Sequence, residues 1–157
     1  MPAPSALNDE ISAMLLDTDL FRHLPQTELR IAAQYFGLTR AVRNEIIFSE
    51  GESGTFMCIV HEGSVKVVKS NQREEAVAVV RLGQGRAFGE MAILDGERRS
   101  ATCQAAEDCQ LLTLSREALA RMEEEHPRLA AHIIRAIAVS LSRRLRLAVG
   151  KLVDYID

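Results

Sequence analysis

Hydrophobic positions change period three times along the chain. From residue 5 to residue 36 they recur at helical spacing, with Leu7, Ile11, Met14 and Leu15 on one face, Ser5 or Asn8 placed to cap, and a second helix predicted around residues 27–36. From residue 38 to residue 114 the period shortens. The runs 46–48, 56–60, 65–68, 76–80, 101–103 and 109–114 are rich in aliphatic and β-branched residues and are separated by Gly51, Gly54, Gly63, Asn71, Gly83, Gly85 and Asp108. Short, evenly spaced strands of this kind predict an antiparallel roll or barrel. Helical spacing returns after Ser115, a side chain suited to capping a helix over residues 116–125, and His126-Pro127 breaks it. A last helix then runs from Pro127 to about Tyr155. On it Ile134, Ile137, Leu141, Leu145, Ala148, Leu152 and Tyr155 form one apolar stripe at spacings of three and four.

Composition narrows the function classes. A chain of 157 residues with 47% hydrophobic content has enough for one compact domain with an arm. Its net charge of −3 gives no general attraction to nucleic acid or to an anionic membrane. No run reaches the roughly 18 apolar residues of a membrane span, and Met1-Pro2-Ala3-Pro4 lacks the basic-then-apolar order of a leader, so a cytoplasmic protein is the expectation. Cys58, Cys103 and Cys109 are an odd set on apolar strands and read as reduced core thiols. His23, His61, His126 and His132 make no metal set; His126 and His132 are six apart and point to different sides of a helix.

The candidate chemistry lies in Phe88-Gly89-Glu90-Met91-Ala92-Ile93-Leu94 and in Arg99-Ser100-Ala101-Thr102. A glycine opening a short helical turn lets backbone N–H groups approach an anion, with the helix dipole behind them. Arg99 adds a planar fork of donors suited to phosphate oxygens. Glu90 is out of place beside an anion until a ribose 2′-hydroxyl is supplied, whose proton it can accept. Taken singly, each piece is a common helix start or surface charge. The coincidence of glycine, acid, apolar turn, a ten-residue offset to arginine and a following strand carries the reading. Nothing in it supplies the nucleophile and base, or the metal, that a hydrolase needs.

These residues resemble the phosphate-binding cassette of the cyclic nucleotide-binding domain family, which includes bacterial catabolite activator proteins, protein kinase A regulatory subunits and cyclic-nucleotide-gated channels. Residues 47–54 and 57–67, with their paired glycine turns, resemble the early β-roll of the same family, and the similarity covers about residues 10 to 150. It implies an α+β fold: an antiparallel, jelly-roll-like β-roll with an N-terminal helical bundle, a short phosphate-binding helix and a long C-terminal helix. The expected organisation is one domain over residues 1–157, with N-terminal helices at 1–37, the roll at 38–114, the cassette at 88–101 and C-terminal helices at 115–157.

The resemblance further implies a non-catalytic regulatory module that binds a cyclic purine nucleotide through Phe88, Gly89, Glu90, Met91, Ala92, Arg99, Ser100 and Ala101. No cofactor or metal is implied beyond that ligand. A hydroxyl such as Ser100, next to the phosphate-binding arginine, serves both cAMP-selective and cGMP-binding members; cAMP is favoured over cGMP. Where catabolite activators place purine-contacting hydroxyls, this chain carries Ala148 and Val149; Ser140, Ser142, or one of Arg135, Arg143, Arg144, Arg146 and Lys151 are the alternatives. A homodimer through the C-terminal helix is expected, with signalling in trans to an unidentified protein partner. The chain stops at Asp157 without the helix pair of a DNA-binding module, so neither DNA nor membrane binding is expected. The competing reading is a dimeric scaffold that kept the roll and binds no nucleotide.

Overall fold

The computed structural model describes residues 4–156, with the side chains of residues 4, 5, 78, 79 and 153–156 left aside. Met1-Pro2-Ala3 and the side chain of Tyr155, the end of the expected stripe, therefore lie outside the described residues.

Two helices, α1 (Pro4–Leu16) and α2 (Gln26–Ala33), precede the strands. Helix α2 starts after Pro25, whose extended backbone sets its entry, and it stops short of the expected residue 36, where Tyr35 and Phe36 turn into the core. Asn8 does not cap; its amide donates to the Arg30 carbonyl and ties α1 to α2. Eight strands follow: β1 (Gly37–Ala41), β2 (Ile46–Phe48), β3 (Phe56–Glu62), β4 (Val65–Ser70), β5 (Ala76–Leu82), β6 (Ala87–Phe88), β7 (Thr102–Ala105) and β8 (Cys109–Ser115). Helix α3 (Glu90–Asp95) interrupts them, and α4 (Arg116–Glu125) and α5 (Pro127–Ile156) close the chain. This is an α+β fold with an antiparallel β-roll, a short inserted helix and a long C-terminal helix.

The strands form two antiparallel four-stranded sheets, ordered β1-β8-β3-β6 and β2-β7-β4-β5. Sequence pattern missed β1 and β6 as strands. Strand β1 is exposed except at Ala41 and offers no alternation, and β6 is two residues long. Strand β3 reads as a continuous apolar run because both of its faces are buried. Met57 and Ile59 face the helices with Leu112 and Leu114 of β8, whereas Cys58 and Val60 join Phe48, Phe88, Cys103 and Leu111 inside the roll. The helical side of the core includes Phe21, Leu29, Met122, Ile133 and Ile137, and it also takes Ile93 from α3.

Ser115 caps α4 as its type predicts, its hydroxyl accepting the Ala118 N–H at 3.0 Å. Helix α5 divides into two parts. Leu129, Ala130, Ile133 and Ile137 are buried, with Ile134 and Leu141 at the margin, while Leu145 and Leu152 are 66% and 63% exposed. The packed face is thus turned from the expected stripe to include Ile133, and the stripe leaves the domain's own core after Leu141.

Candidate functional site

Strand β6 delivers Phe88 to the roll interior, where it pairs with Cys58 of β3, and the chain turns at Gly89 into α3. Gly89 is the N-cap of α3, with φ 78° and ψ 6°, in the left-handed region that side chains avoid. A Cβ here would lie 2.7 Å from Arg99 Nη1 and 3.2 Å from the Phe48 ring. The other face of α3 is held as closely by the β2–β3 loop: a Cβ on Gly54 would fall 2.1 Å from that of Ala92. Glu90 and Ala92 are buried, Met91 is exposed, and Ala101 is half-buried beyond the exposed Ser100.

Arg99 is placed by its own backbone. Its N–H donates to Glu52 at 2.8 Å, its carbonyl accepts from Gly51 at 2.9 Å, and Arg98 forms a bridge with Ser53. Lys69 of β4 fixes the next carbonyl, that of Ser100, at 2.7 Å. The Arg99 side chain, 4% exposed, runs inward. Its guanidinium carbon sits 3.8 Å from the Phe48 ring centroid and 4.8 Å from that of Phe56. Nη1 donates to the Gly89 carbonyl at 3.1 Å and Nη2 to the Phe56 carbonyl at 2.6 Å. Both prongs of the fork are thus committed to the main chain, and Nε is buried without a partner. Among the described residues no carboxylate pairs with this arginine. Loss of water around it pulls its pKa below that of a free arginine, yet guanidinium stays charged at any ordinary pH.

Glu90, 2% exposed, points to the other side, where its Oε1 meets the guanidinium of Arg144 on α5. One arginine of the basic cluster thus reaches the cassette through its acid. Ser142, Arg143, Arg146, Ala148, Val149 and Lys151 are exposed on the same helix, and Ser140 is half-buried.

The sequence pattern of the cyclic nucleotide-binding domain family matches residues 38–126, from β1 to the end of α4. The chain belongs to the cyclic nucleotide-binding domain family. The cyclic AMP receptor protein of Thermus thermophilus is 35% identical over 127 residues, which are 81% of this chain and 57% of that protein. A cAMP-dependent protein kinase regulatory subunit from Mycosarcoma maydis is 35% identical over 113 residues, 69% of this chain and 21% of the subunit. The chain therefore spans only part of these curated relatives. Among solved structures, a cyclic nucleotide-binding domain from Methylobacillus flagellatus superposes with a TM-score of 0.82 at 26% identity, covering 95% of this chain and 84% of that one. In relatives of both kinds, receptor protein and kinase regulatory subunit, the cyclic nucleotide-binding domain is a regulatory part.

Three contributors to the site escaped the sequence reading. Phe48 and Phe56, edge to face with each other, flank the cassette arginine on two adjacent sides from strands β2 and β3, and their aromaticity near the glycine turns was the available signal. Arg116, at the start of α4, donates through Nη2 to the carbonyls of Gly54 at 2.8 Å and Ala92 at 2.9 Å, so it ties α4 to both the β2–β3 loop and α3. No sequence signal separates it from a surface arginine. Among the described residues no His, Cys, Asp and Glu cluster could hold a metal, and no helix is long and apolar enough to cross a membrane.

Proposed function

We propose that this domain is a non-catalytic sensor of a cyclic purine nucleotide, with cAMP preferred to cGMP, that signals through α5 to a protein partner in trans. The observation that carries the reading is Arg99: a buried cation with no carboxylate partner among the described residues and an unsatisfied Nε. Leaving one buried donor unpaired costs on the order of 1–3 kcal/mol, which an anionic ligand oxygen would recover. On this reading the ligand phosphate is taken by Arg99 and the backbone N–H groups at the start of α3, with Phe88, Met91, Ala92, Ser100 and Ala101 around it. Arg99 turns at least one donor from the Gly89 or Phe56 carbonyl to do so. Glu90 then accepts the ribose 2′-hydroxyl.

Because Glu90 is already held by Arg144, a ligand that engages Glu90 changes the anchorage of α5, which couples ligand affinity to helix position. The exposed half of α5 beyond Leu141 is the surface that such a shift moves, and it supports a dimer through this helix. The three buried, unpaired thiols fit a reducing, cytoplasmic setting. The sensor unit on this reading is the whole of residues 1–157, with the cassette at 88–101.

Titration calorimetry of the protein with cAMP and with cGMP tests the proposal. Saturable binding near micromolar, about −8 kcal/mol, with cAMP the tighter, is the expected result. Tighter cGMP binding overturns the base preference, and no heat with either ligand at millimolar concentration leaves the dimeric scaffold.

A further inference from the structure

The basic cluster on α5 is only partly used by the cassette. Arg144 pairs with Glu90, whereas Arg135 and Arg143 have no carboxylate within reach among the described residues. Both line a groove of about 800 Å³, between the turn at residues 19–24 that joins α1 to α2 and the middle of α5, and Arg144 stands at the border between this groove and the cassette. Five arginines and two histidines line this groove against a single carboxylate, that of Asp19. Asp19 is itself held by Arg22 at 2.7 Å and lies 4.0 Å from Arg86. Positive charge is thus concentrated on one face of a chain whose net charge is −3.

The groove is also partly apolar. Leu24, Val139 and Leu147 line it, and the last two are exposed. Arg135, Val139 and Arg143 are four residues apart and so share a face of α5, alternating charge and apolar surface along its length. From His132 to Leu147 this face runs about 22 Å, or about four helical turns.

We propose that this groove is the docking surface for an acidic, amphipathic helix of a partner protein. Leucine-like anchors at helical spacing would seat between Leu24, Val139 and Leu147, and carboxylates on the flanks would pair with Arg135 and Arg143. Planar guanidinium groups suit such pairs because each can hold a carboxylate with two parallel donors. A small anion is a poorer occupant, since these arginines stand in solvent and do not enclose a cavity. Nucleic acid is poorer too, because the groove has no Phe, Tyr or Trp for base stacking, and Glu123, Glu124 and Glu125 raise negative charge at the end of α4. The inference does not depend on nucleotide binding.

The test uses a labelled 15-residue helix-forming peptide with leucines at i, i+3 or i+4 and i+7 and glutamates elsewhere, beside its glutamine counterpart. Binding to the full chain is followed by fluorescence anisotropy at low and high salt. The expected result is saturable binding of the acidic peptide, weakened by salt, with the glutamine peptide at least tenfold weaker. The double variant R135E/R143E, with the parent's melting curve, is expected to lose at least tenfold in affinity for the acidic peptide. Equal binding of the two peptides, or an unaffected double variant, overturns the proposal. So does a short DNA duplex that displaces the peptide and binds more tightly through the same two arginines. A concentration-dependent dimer in sedimentation that R135E/R143E abolishes would assign the groove to a second copy of the chain instead.

Discussion

Arg144 of α5 and Glu90 of α3 form an ion pair in which one side chain is 43% exposed and the other 3% exposed. The acid proposed to take the ligand's ribose is therefore already engaged by the C-terminal helix. Arg144→Gln leaves this carboxylate buried without its cation. Because the arginine stands partly in water, the cost is discounted from that of a fully buried pair to about 1–2 kcal/mol. Thermal unfolding without nucleotide should show a melting temperature lower by about 2–8 °C. Adding Glu90→Gln should restore part of it; a double variant less stable than R144Q would show that the pair is not the source.

Arg99→Ala should weaken cyclic nucleotide binding by about 2–5 kcal/mol, the cost of stripping one partner from a desolvated charge pair. Calorimetry reads this loss directly, with circular dichroism to confirm the fold. Binding equal to the parent would misplace the site.

Gly89→Ala places a side chain at φ 78° and its Cβ 2.7 Å from Arg99 Nη1. The left-handed backbone alone costs about 1–2 kcal/mol, and Arg99 must also shift. Urea unfolding should report that destabilisation, and nucleotide affinity should fall with it. Gly83→Ala, where a Cβ meets nothing within 4 Å, is the control expected to change little.

The two halves of α5 should respond oppositely. Ile137, fully buried, should cost about 2–5 kcal/mol on truncation to Ala, measured by denaturant unfolding. Leu145→Ser with Leu152→Ser should change unfolding of the dilute chain by about 0.5 kcal/mol at most per site, yet weaken the proposed dimer in sedimentation. A double variant that dimerises like the parent would remove α5 as the dimer helix.

Burial pushes the thiols of Cys58 and Cys103 up to about 12, from an ordinary 9.0, with the positive charge of Arg99 acting in the opposite direction. The folded protein therefore keeps protons that the unfolded chain releases as pH passes 9. Their contribution is fully present below pH 9 and is lost between pH 9 and 12, at up to about 1.4 kcal/mol per pH unit for each thiol. Stability measured across this window should fall less steeply in a Cys58→Ala/Cys103→Ala variant than in the parent. The same slope in both would refute the assignment.

Period and punctuation carried much of the fold. The switch from helical spacing to short glycine-bounded runs located β3, β4, β5 and β8, and Ser115 and Pro127 marked the starts of α4 and α5, because each depends on neighbours within a few residues. The weak strands β1 and β6 carry no such signal and exist because β8 and β3 supply their hydrogen-bond partners. Gly89, Glu90 and Arg99 read as one group in the sequence because close backbone approach, an acid and a guanidinium are needed together; the fold joins Arg99 to Gly89 and directs Glu90 to Arg144.

What sequence alone determined is the residue chemistry around Gly89 and Arg99 and the order of the elements other than β1 and β6, since both are set by residue type and short-range spacing. Only the tertiary structure decided how the charges are spent. Phe48 and Phe56 come from separate strands to hold Arg99 inward, Arg116 reaches back to two carbonyls, and Arg144 crosses from α5 to Glu90. Each joins positions 24 to 62 residues apart, and burial of the roll against the helices fixes those distances, which no local pattern encodes.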